Sequence, residues 1–164
     1  MTSDDRAILN EFLENVQSMN VNKSPAGKAK KKPLLLLLVL ADLQHGRFRE
    51  NKIHFADVQE RLTALILEYG GRPAQHGAKP EQPFFHLRTS PFWELTIPNE
   101  MPDSNKKTLA RRVLAAPGVF AALRPSIFEL LKRSCAAREE AINVILQRWW
   151  NPDDAAGLRV ALGL

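Results

Sequence analysis

Cysteine is almost absent from this sequence: Cys135 stands alone. One thiol closes no disulfide within the chain and supplies no cysteine-rich zinc site. It lies in "KRSCAAREE", inside a helical pattern, where a small packed side chain is expected. Long hydrophobic runs are missing too. The run "LLLLLVLA", Leu34 to Ala41, stops at Asp42, far short of the about 20 residues that a bilayer crossing needs. The opening "MTSDDRAILNEF" has neither the basic start nor the apolar core of a secretory leader. These absences lead us to expect a cytoplasmic protein.

Catalytic signatures are missing as well. The four histidines, His45, His54, His76 and His86, form no HExxH pair. There is no GxSxG, no P-loop, no GxGxxG and no HNH-type zinc arrangement. No metal or cofactor is implied, and we expect a binding module rather than an enzyme.

What is present is an ordinary globular composition, 45% apolar and 25% charged, with a formal charge of +5. A single domain, 1–164, is expected, and the positive balance is compatible with a polyanionic partner. Ile8, Leu9, Phe12, Leu13 and Val16 recur in steps of three and four, which predicts an amphipathic helix over 4–19, capped by Thr2 or Ser3. Pro33 to His45 predicts a helix buried on most sides, ended by Gly46. Val58, Leu62, Leu65, Ile66 and Tyr69 mark another, which Gly70 and Gly71 end. A helix is expected over 103–115, and "PSIFELLKRS", "AREEAINVILQRWW" and "PDDAAGLRVALGL" predict a helical last third. The expected fold class is mainly α, one helical domain with a short extended hairpin or irregular strand pair.

Two kinds of segment interrupt this scaffold. The stretch 20–32 is polar and collects Lys23, Lys28, Lys30, Lys31 and Lys32 without one acid, which predicts a mobile basic loop. Lysines here suit phosphate neutralisation. "KPEQPFFHLRTSPFWEL", Lys79 to Leu95, carries Pro80, Pro83 and Pro91 among four aromatics. Its partial alternation predicts two short extended segments around a turn at Thr89–Ser90–Pro91. Lys106, Lys107, Arg111 and Arg112 follow as a second basic group. Trp149–Trp150 is either a stacking platform for bases or part of the core.

"KKPLLLLLVLADLQHGR", "PEQPFFHLRTSPFWEL" and "PGVFAALRPSIFELLKRSCA", in this order, resemble the sulfur-binding domain of phosphorothioate-DNA-dependent type IV restriction endonucleases. The resemblance spans roughly residues 30 to 164 and includes a helix start within the third piece. It implies a mainly helical domain that binds duplex DNA in which sulfur replaces a backbone oxygen. It also implies a shallow sulfur pocket formed by Lys32, Gln82, Pro83 and His86. Gln82 stands where the family often has an aromatic ring or imidazole, and His86 is larger than the small residue found there. Lys30, Lys31, Arg88, Thr89, Ser90, Lys106, Lys107 and Arg111 are the candidate DNA contacts, with His86, Arg88, Thr89 and Ser90 candidates for base edges. An HNH nuclease domain or subunit is the implied partner beside the DNA. The alternative is a generic DNA-binding or protein-interaction helical module without sulfur selectivity.

Overall fold

A computed structural model of the chain describes residues 1–164 except 22, 25, 26, 29, 72–76 and 99–108, and of 23, 24, 27 and 28 it describes the backbone alone. Its centre is a helix with no polar face. In α2 (Lys31–Gln44) every residue from Leu34 to Ala41 is at most 2% exposed. A helix apolar all round needs neighbours all round. They are α3 (Phe55–Tyr69), α4 (Glu81–His86), α6 (Pro125–Arg133) and α7 (Cys135–Trp149). Gly46, at φ +70°, ends α2: its N–H donates to the Leu43 carbonyl and that of Arg47 to Asp42. Those two bonds close a Schellman turn, which a side chain with a Cβ resists.

The N-terminal helix α1 (Ser3–Ser18) starts with reciprocal bonds between Thr2 and Asp5 and buries Leu9, Phe12, Leu13 and Val16 against α6 and α7. The C-terminal α8 (Pro152–Leu162) starts with Asn151 accepting from the Asp154 N–H, as the "NPDD" sequence leads one to expect. Trp149 and Trp150 are both 7% exposed, so both belong to the core and neither offers a stacking face.

The proline-rich segment departs from expectation. Glu81–His86 is α-helical, continued by a 3₁₀ turn over Leu87–Thr89. Pro80 is its N-cap and Pro83 falls in its first turn, where a helix has no use for the N–H that proline lacks. The extended piece begins only at β3 (Trp93–Thr96). It pairs antiparallel with β4 (Phe120–Leu123), in register Trp93 to Leu123, rather than with the residues before the turn. β4 lies in "PGVFAAL", so the third family-like piece opens with a strand and its helix α6 starts at Pro125. Ile53 adds one further bridge to Ala121.

Of the basic loop, two-residue strands β1 (Lys23–Ser24) and β2 (Gly27–Lys28) pair antiparallel, and Lys31 and Lys32 belong to α2 instead. The expected mobility of this loop falls partly on 22, 25, 26 and 29, outside the described residues. The helix expected over 103–115 is seen as α5 (Arg111–Leu114), with 103–108 outside the described residues. Cys135 is exposed as the first residue of α7, not packed. Among the described residues no helix is long and apolar enough to cross a membrane, and no cluster of metal-ligating side chains occurs.

Candidate nucleic-acid interface

The first turn of α2 and the short helix α4 meet at the surface, and a cavity of about 340 Å³ opens between them. Gln82, Pro83 and His86 line it from α4, at helical steps of one and three that share a face. Lys31 and Lys32 line it from α2. Asn20 and Val21, just past α1, and Thr89 complete the wall. The four positions assigned to a pocket by resemblance therefore lie around one cavity.

Each element is held from beneath. Phe84, fully buried, stands edge-to-face against Phe55 of α3 and Trp93 of β3, with ring centroids 5.2 and 5.7 Å apart. The Trp93 indole N–H donates to the Phe84 carbonyl at 3.1 Å. Helix α4 is thereby fastened to β3 and α3, and its opposite face is left for the cavity. Pro83 is itself buried, so its ring forms part of a rigid floor.

The two lysines are tethered rather than loose. Lys31 Nζ donates to Gln82 Oε1 across the cavity at 3.1 Å, and Lys32 Nζ donates to the Asn20 carbonyl at 3.0 Å. Burial lowers the pKa of Lys32 below the ordinary lysine value. His86 is half-buried; burial first, then the charges of Lys32 and Arg88, hold its pKa below the usual 6.5. Helix α2 has no acid in its first turn and no side-chain cap at Lys30. Two lysines thus stand at the positive end of a helix dipole, an arrangement that disfavours cations and attracts an anion.

The remaining candidates scatter around this cavity. The Arg88 guanidinium lies 4.3 Å from the Phe85 ring centre, at the exposed edge of the 3₁₀ turn. Thr89 is exposed and its hydroxyl donates to the His86 carbonyl. Ser90 is buried at 9% exposure, which removes it from the surface set; its place is in the turn that leads to Trp93. Lys30 reaches over the Trp150 ring, 5.6 Å from its centre, and does not line the cavity. Arg111 forms an ion pair with Glu81 at 2.8 Å, bracing the start of α4. Lys106 and Lys107 lie outside the described residues.

Asn20 and Val21 were not anticipated. Their part in the cavity depends on where α1 ends relative to α2, and for Asn20 on a backbone carbonyl, which no side-chain pattern announces.

The fold and the site together define a mainly helical domain with a cationic cavity at one helix start. The sequence matches the family described as "ScoMcrA-like, DNA sulfur-binding domain" over residues 9–164. The chain belongs to that family. Among solved structures it is similar to the sulfur binding domain of SprMcrA complexed with phosphorothioated DNA, at 22% identity and a TM-score of 0.76, covering 100% of this chain and 98% of that one. The sulfur binding domain of ScoMcrA in the same kind of complex is similar at 19% identity and a TM-score of 0.72, over 92% and 98% of the two chains. A longer ScoMcrA structure, its sulfur binding and SRA domains with phosphorothioated DNA, is similar at 20% identity and a TM-score of 0.73; the match covers 93% of this chain and 46% of that one. These likenesses establish the shared fold. No curated protein matches the sequence.

Proposed function

We propose that this domain binds duplex DNA carrying a phosphorothioate link and takes the sulfur into the cavity between α2 and α4. The observation that carries the reading is that one cavity combines a buried proline ring with two tethered lysines at an acid-free helix start. A phosphorothioate keeps the negative charge of a phosphate but exposes a larger, more polarisable and less strongly hydrated atom. Oxygen loses strong hydration on entering a partly apolar site, whereas sulfur loses less. Lys31 and Lys32 supply the charge attraction common to both. The Pro83 ring, the Gln82 stem and the His86 imidazole supply the surface that separates them. A difference of about 1–3 kcal/mol is the scale expected for a single-group change in a fitted pocket.

In this reading Arg88 and Thr89 face the bases beside the modified link, and a guanine with its two major-groove acceptors suits the guanidinium. Lys30, Arg111 and the lysines at 106 and 107 act on neighbouring phosphates. Strand cleavage is assigned to a separate nuclease domain or subunit of the HNH type, acting on DNA in the cytoplasm.

The test is fluorescence anisotropy with matched duplexes, unmodified, Rp- and Sp-phosphorothioate, in several sequence contexts at fixed salt. Tight binding confined to one modified isomer is expected. Equal binding to all three duplexes, falling steeply with salt, would reduce the domain to a generic phosphate binder.

A further inference from the structure

Among the described residues that line the cavity, His86 is the one imidazole. We infer that it sets how strongly the cavity prefers sulfur to oxygen, and that the preference persists only while the imidazole is uncharged. The inference rests on the sulfur-binding reading above and concerns the same site.

The argument starts from what surrounds the ring. Lys31 and Lys32 face the cavity from α2, and Arg88 follows on the 3₁₀ turn. Asn20, Val21, Gln82, Pro83 and Thr89 complete the lining and carry no charge. The carboxylate on His86's own helix, Glu81, is taken up by Arg111 of α5 at 2.8 Å. No acidic side chain lines the cavity among the described residues. His86 also meets the Phe85 ring edge-on, 5.2 Å between centroids, which fixes its plane. Burial and cationic neighbours lower its pKa and so favour the uncharged ring. Uncharged, it presents a flat, weakly polar surface, suited to a polarisable sulfur.

Protonation changes the contest between the two atoms. Unmodified and phosphorothioate links carry the same net charge, so the Coulomb attraction of an imidazolium to either is similar. The hydrogen bond is not similar. Oxygen is the better acceptor, and a charge-assisted N–H···O⁻ bond is roughly twice as strong as a neutral one. A protonated His86 therefore strengthens binding of ordinary DNA more than binding of modified DNA. Affinity for both rises as pH falls while the ratio between them shrinks. Reciprocity adds a second signature: His86 must titrate at a higher pH when bound to unmodified DNA than when bound to modified DNA.

The experiment measures the dissociation constants of matched unmodified and phosphorothioate duplexes from about pH 8 to about pH 5, the range of histidine titration, at constant ionic strength. Wild type and His86→Asn are compared, with the His86 ring proton shifts followed by NMR in both wild-type complexes. For wild type we expect the preference for sulfur to fall about tenfold across this range, one pKa unit of coupling. We expect the Asn variant's ratio to stay flat, and His86 to titrate higher with unmodified DNA. A flat wild-type ratio, or an equal fall in the variant, overturns the inference. If the variant fails to bind, the wild-type titration decides: equal His86 pKa values in the two complexes overturn the inference. Absence of any sulfur preference at about pH 8 in every sequence context is a different result, and it removes the sulfur-binding reading itself.

Discussion

Lys32 occupies a position that a stability-driven sequence avoids. It is the second residue of α2, at the positive end of the helix dipole, and it is partly buried. A cation there is disfavoured by about 0.3–1 kcal/mol through the dipole alone, and burial adds to the cost. Its bond to the Asn20 carbonyl directs the ammonium but offsets this only in part, since an ordinary hydrogen bond contributes about 1 kcal/mol net. A residue held in an unfavourable place is understandable if a bound anion restores the balance. Lys32→Ala should therefore weaken binding of both modified and unmodified duplexes by at least about tenfold, or 1.4 kcal/mol. The same change should leave the unfolding free energy unchanged or raise it by up to about 1 kcal/mol. Urea denaturation beside anisotropy separates the two effects. A variant that loses stability and affinity together would make Lys32 a structural residue.

At the scale of elements, the site depends on how α4 is fastened. A six-residue helix does not hold its shape alone, so packing must hold it. The Trp93 indole N–H, bonded to the buried Phe84 carbonyl, joins strand β3 to the middle of that helix. Trp93→Phe keeps a ring in place but removes the donor, leaving a buried acceptor without it. We expect a loss of about 1–3 kcal/mol in urea unfolding, with affinity for the modified duplex reduced as α4 loosens. An unchanged unfolding midpoint would show that the bond does not secure the helix. This fastening also explains which elements can be read from sequence. Helices α1 and α3 bury the residues that their spacing singles out, apart from the half-buried Ile8 and Tyr69, and Gly46 and Asn151 serve as their caps' chemistry suggests. Helix α4 escaped because Pro80 and Pro83 look like breakers until the helix start is known, and both fall where an N–H is dispensable. Strand β4 escaped because "FAAL" has no alternation of its own and its partner β3 is remote in sequence, Thr96 standing against Phe120 at the near end and Trp93 against Leu123 at the far end. The cavity was legible only through an ordered resemblance, since Lys31 and Gln82 are 51 residues apart and nothing local says that they touch.

Across the whole molecule, the N-terminal helix is clamped onto the C-terminal third by ion pairs of very long sequence separation. Arg6 bonds Glu140 through both carboxylate oxygens, Arg124 bonds Glu11, and Arg133 grips Asp5. These pairs matter to the cavity because α1 runs directly into Asn20, the residue that orients Lys32. The Asp5 carboxyl titrates at about 2, down from 3.8, held there first by the Arg133 hydrogen bond and then by the Thr2 backbone N–H. Glu11 is lowered too, by its hydrogen bond from Arg124. Both are depressed in the folded state, so the unfolded chain binds more protons in acid. Their contribution is fully present above the ordinary carboxylate range and is lost as pH falls, for Asp5 between 3.8 and about 2. Asp5→Asn keeps the size of the side chain and an oxygen for the Thr2 N–H while removing the charge that Arg133 binds. Measured by urea unfolding at fixed ionic strength, the variant should be less stable than wild type near neutrality. The two should converge as pH falls through that window, because acid removes from wild type what the substitution has already removed. Parallel curves would mean that Asp5 supplies none of the acid sensitivity. If the curves converge, the ion pair between Asp5 and Arg133 links the protonation of α1 to the stability of the whole fold.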